Sequence, residues 1–78
     1  MSVIDPQLWR DAEDGRALRE LREALPGGWV YEAGQHANRA GQYVVRLLDE
    51  MDLVQVRYTM ATIAGAADAC RKALREQS

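Results

Sequence analysis

Pro26-Gly27-Gly28 divides this chain in two. Pro removes a backbone donor and two Gly add conformational freedom, so neither a helix nor a strand runs through the triplet. Before it the apolar residues recur at helical spacing. Leu18, Leu21 and Leu25 share one face with Ala17 and Ala24, and Arg16, Arg19, Glu20, Arg22 and Glu23 fill the other. Asp5-Pro6 reads as the helix start, Leu8, Trp9 and Ala12 continue its spacing, and Asp14-Gly15 interrupts or re-caps it. After the triplet the period changes to two.

Three short strands follow: Trp29 to Ala33, Gln42 to Leu48 and Leu53 to Tyr58. A glycine-bounded loop, Gly34 to Gly41, joins the first two, and Asp49-Glu50-Met51-Asp52 makes a hairpin turn between the others. Thr59 or Thr62 caps a final helix with Ile63, Ala67, Cys70 and Leu74 on its apolar stripe. Asp68, Arg71, Lys72 and Arg75 face water on that helix. The chain has 78 residues, so residues 1–78 make a single domain of the α+β class. The order is α-β-β-β-α: a three-stranded antiparallel sheet with both helices packed on one face.

Alternation sorts the two sheet faces. Tyr43, Val45 and Leu47, with Val54, Val56 and Tyr58, form the core set. Leu18, Leu21, Leu25, Ile63, Ala67 and Leu74 meet them from the helices. The opposite face carries Val44, Arg46, Leu48, Leu53, Gln55 and Arg57. Two helices cover only one face of such a sheet, so the second stays open to water or to a partner. Its mixture of Arg and aliphatic side chains resembles the makeup of interface cores. The acidic turn adjoins it. Arg46, Leu48, Leu53 and Arg57 are therefore the expected contact residues, and Asp49, Glu50 and Asp52 are expected to steer a basic partner.

Chemistry is bounded by what is missing. Nucleophilic catalysis needs an activated side chain with a base in reach, yet the serines are Ser2 and Ser78, and Cys70 lies on an apolar stripe. His36, the single histidine, sits in the glycine-bounded loop with no carboxylate beside it in sequence. One His and one Cys cannot build a tetrahedral metal site. No phosphate-cradling loop or dinucleotide fingerprint occurs. The expectation is a protein that is not an enzyme, with no catalytic residue, no cofactor and no metal. One cysteine excludes an intrachain disulfide, and no apolar run or leader pattern points to a membrane, so a cytoplasmic home is expected.

Ten basic residues against twelve acidic ones leave a net charge of −2, which argues against a basic footprint for nucleic acid. The element order resembles that of the double-stranded-RNA-binding domain. That family grips RNA phosphates with lysines at the start of its last helix, where this chain has Thr62-Ile63-Ala64-Gly65-Ala66. Direct nucleic-acid binding is accordingly not expected.

Nine of the ten basic residues are Arg, only Lys72 is Lys, and Asn38 is the single Asn, a usage that fits a GC-rich bacterial or phage genome. In size, composition and lack of catalytic groups the chain is similar to small phage and prophage anti-CRISPR proteins. The alanine-rich stretch from Thr62 to Leu74 looks like the end of many phage reading frames. The resemblance implies a non-enzymatic inhibitor that binds a Cas effector subunit and blocks recruitment of target DNA, in the cytoplasm of a bacterial host. The alternative from the residues alone is an interaction module that binds another protein, or a second copy of itself, through the open sheet face.

Overall fold

The computed structural model describes residues 6–77, with side chains from Ala12 to Glu76. The Asp5 cap lies outside the described residues, as do Ser2, Ser78 and the side chains of Leu8, Trp9 and Asp11. The order is α1 (Pro6–Ala24), β1 (Val30–Gln35), β2 (Tyr43–Leu48), β3 (Val54–Met60) and α2 (Ile63–Gln77). The α-β-β-β-α reading holds.

Helix α1 is unbroken, so Asp14-Gly15 neither interrupts nor re-caps it. A helical Gly costs only about 1 kcal/mol against Ala, which a long packed helix absorbs. Asp14 caps the other helix instead: its Oδ1 accepts the Ala64 N–H at 2.9 Å. Thr62 Oγ1 accepts the Gly65 N–H at 2.9 Å, so Thr62 rather than Thr59 is the cap of α2, and Thr59 remains in β3. The carboxylate also suits the positive end of the α2 dipole. A second link joins the helices, Arg71 Nη1 to Glu20 Oε2 at 2.8 Å. Arg71 is thus half-buried between elements and not simply turned to water.

The core is built where α2 lies on β2 and β3 and α1 packs against α2. Ala17 and Leu21 of α1 lie with Val45, Leu47, Val56, Ala64, Ala66, Ala67 and Cys70. The alanines of α2 let its backbone come close to the sheet, and α1 packs chiefly on α2. Leu18, Leu25, Ile63 and Leu74 are half-buried at the rim of this cluster.

The sheet runs β1-β2-β3, antiparallel throughout, with β2 central. Its register corrects three expectations. Leu47 pairs with Val56, yet Leu48 pairs with Val54, so one step along β2 matches two along β3. Gln55 is the extra residue of this β-bulge, and a one-residue insertion reverses the faces beyond it. Val54 therefore leaves the core set for the open face, where it is 47% exposed. Leu48 is on the open face as expected but is buried, not presented, because the register seats it between Val30 and Val54. Tyr58 keeps the helix side yet is 40% exposed, since β3 is an edge strand with one flank uncovered.

Candidate functional site

The face turned away from the helices is laid out in rows across the strands. Val30, Leu48 and Val54 form the first row, nearest the acidic turn. Glu32, Arg46 and Arg57 form the second, and Gly34, Val44 and Thr59 the third. A groove of about 660 Å³ runs along the second and third rows and reaches His36. The apolar end and the charged end of the face are thus separate.

The charged row is unbalanced. The Glu32 carboxylate pairs with Arg46 across β1 and β2. Arg57 lies directly opposite Arg46 on the other side, an arrangement that costs stability because like charges face each other. Among the described residues Arg57 has no ion pair, and it is exposed. A guanidinium held in this way against a second one is available to a carboxylate from outside, which it can engage in two parallel hydrogen bonds.

The acidic turn serves the fold. Asp49 Oδ1 accepts the N–H groups of Met51 at 2.8 Å and Leu53 at 3.1 Å, and its Oδ2 accepts Gln55 Nε2 at 2.7 Å. Asp52 adopts φ 63°, the left-handed position that ends a three-residue hairpin loop, and Asp is among the few residues that tolerate it. Glu50 lies against Gly28 of the α1–β1 loop. Sequence reasoning expected these three acids to steer a partner; the structure gives Asp49 and Glu50 internal neighbours and Asp52 a backbone role.

Asp49 carries a pH dependence. The Leu53 N–H lowers its pKa most, desolvation opposes this, and the Met51 N–H and Gln55 amide lower it further. A folded pKa below the unfolded one adds stability above the unfolded value, and that stability is lost as the pH falls through the folded value. Asp49→Asn should therefore lower the thermal midpoint clearly at about pH 7 and much less at about pH 3. Equal losses at both pH values would show that the charge is not what the turn uses.

The remaining chemistry-bearing groups are spoken for. Cys70 is fully buried, with its thiol directed at the Val45 carbonyl at 3.5 Å. Burial pushes its pKa up to about 11, opposed by a backbone hydrogen bond from Tyr58, so the nucleophilic thiolate is scarce at neutral pH. His36 helps close the β1–β2 loop: its N–H donates to the Gln42 carbonyl at 2.8 Å, and its Nδ1 accepts the Asn38 N–H at 3.1 Å. Among the described residues no cluster of three His, Cys, Asp or Glu side chains could hold a metal ion. No helix there is long and apolar enough to cross a membrane.

Of the expected contact residues, Arg46 and Arg57 come together at the centre of the open face, whereas Leu53, 58% exposed, precedes β3 on the far side of the bulge, and the reversal that brings Val54 to this face takes Leu53 off it. Val30, Glu32 and Val54 complete the face and were missed. Carrying the alternation into β1 from Tyr31 would have found Val30 and Glu32. No family model, curated protein or solved structure matches the chain.

Proposed function

We propose that this chain is a non-enzymatic binding domain whose open sheet face docks another protein surface. The observation that supports it most is the exposed Arg57, set beside Arg46 and next to the apolar row of Val30, Leu48 and Val54. Monomers seldom expose a cluster of aliphatic side chains beside an arginine that has no ion pair without use. The anti-CRISPR reading is a narrower form of the same proposal. It adds a partner class, a Cas effector subunit, and rests on the resemblance in size and composition.

Capture from a bacterial lysate rich in a CRISPR effector complex tests both. The parent protein should retain a partner that Arg57→Glu and Val54→Asp lose and that Lys72→Glu, on the exposed side of α2, retains. Equal capture by the parent and Arg57→Glu would move the site off this face. A retained partner other than an effector subunit would end the narrower form alone.

A further inference from the structure

The three rows are ordered so that the face can pair with itself. We infer that the occupant of the open face is a second copy of this chain, docked sheet on sheet about a two-fold axis that runs along β2. This rests on the reading of the face as a docking surface and names what docks there.

Such an axis keeps each row over its own counterpart but reverses its direction, so β1 of one copy lies over β3 of the other. Val30-Leu48-Val54 then meets Val54-Leu48-Val30, apolar on apolar. Gly34-Val44-Thr59 meets its reverse, with the two Val44 side chains at the centre. The charged row decides between geometries. Reversed, Glu32 of each copy faces Arg57 of the other, so the uncompensated guanidinium acquires a carboxylate. A two-fold axis across the strands would instead set Glu32 on Glu32 and Arg57 on Arg57, with the apolar row over the third row. Aligned packing of two sheets about 10 Å apart is a standard arrangement, and arginine side chains reaching across would fill the groove beside them.

The size of the face sets the strength. Three strands about 4.8 Å apart and six residues of about 3.3 Å each give a footprint of roughly 300 Å² before side-chain relief. That is below the roughly 800 Å² per partner of a standard interface. The second row also brings four guanidinium groups to two carboxylates, and the central Arg46 side chains face each other. The dimer is accordingly weak and concentration-dependent.

Sedimentation velocity at loadings from on the order of 10 µM to 1 mM reads this directly, since small interfaces populate in that range. The parent should shift from monomer toward dimer across the series. Arg57→Glu and Glu32→Arg should each stay monomeric, because each places like charges across the axis. Mixed in equal amounts, the two variants should form a heterodimer, since every Glu then faces an Arg. Val44→Glu, at a half-buried position of the open face, should stay monomeric without disturbing the helix-side core. Thermal unfolding of each variant confirms that it is folded. A parent that stays monomeric at every loading, or folded variants that dimerise like it, would overturn the self-pairing. A monomeric parent that still loses a captured partner on Arg57→Glu would leave the docking reading intact. Variants that are monomeric singly but fail to associate when mixed would overturn the proposed axis.

Discussion

Leu21→Ala should lower the unfolding free energy by about 2–5 kcal/mol, the cost of emptying a leucine site in a packed core. Leu21 is fully buried and is one of the two α1 residues, with Ala17, at the centre of the core. Small domains have stabilities toward the low end of about 5–15 kcal/mol, so a large part of the total is at stake. The neighbouring elements cannot easily close the space, because α2 already presents alanines there and sits near the sheet. Urea unfolding would show a lower midpoint with an unchanged slope. Leu18→Ala, at the half-buried rim, should cost less. Equal losses for the two would mean that α1 presents a different face to α2.

Gly28→Ala should be the most damaging exchange outside the core. Gly28 has φ 84°, a region that costs other residues roughly 1–2 kcal/mol. It closes the turn that ends the helical half of the chain, with the Trp29 N–H donating to the Pro26 carbonyl at 3.1 Å. A Cβ there would also lie 3.0 Å from Glu50 Oε2 and 3.3 Å from Glu50 Cβ. Adding Glu50→Ala removes the nearer contact only, so the double variant should regain a fraction of the loss. Gly27→Ala is the control: its Cβ would meet nothing within 4 Å, and its φ is not positive. Alanine there should be neutral or slightly stabilising, because it restricts the unfolded chain. A Gly28→Ala protein that melts with the parent would show that the turn relaxes freely.

The architecture was legible because each signal was local. Pro26-Gly27-Gly28 stops a helix by its own geometry, and the shift of period from that of Leu18, Leu21 and Leu25 to that of Tyr43, Val45 and Leu47 needs no tertiary information. The misplacement of Val54 has an opposite origin. Alternation was read straight through Gln55, and a bulge is a property of two strands together that neither strand records alone. The backbone role of Asp49 in the turn is hidden for a related reason. A carboxylate that binds its own backbone and one offered to a partner have the same sequence appearance, and only the hydrogen bonds from Met51, Leu53 and Gln55 separate them. Asp14 belongs to this class too, since its acceptor role toward Ala64 spans 50 positions of the chain. The two arginines of the candidate site were found because Arg46 and Arg57 fall on one face in the part of the hairpin that the bulge leaves in phase.

The buried Cys70 makes the domain its own opening meter. A maleimide or disulfide reagent added to the native protein meets no accessible sulfur, because the only thiol in the chain lies beneath α2 against the Val45 carbonyl. Labelling must wait for α2 to lift from the sheet, so its rate counts the molecules that are open at any moment. The same elements carry the open face on their other side: β2 holds Val45 toward the thiol and Arg46 toward solvent. A ligand gripping that face would hold the strands on which α2 rests, and slower modification of one sulfur would register its arrival from the far side of the sheet.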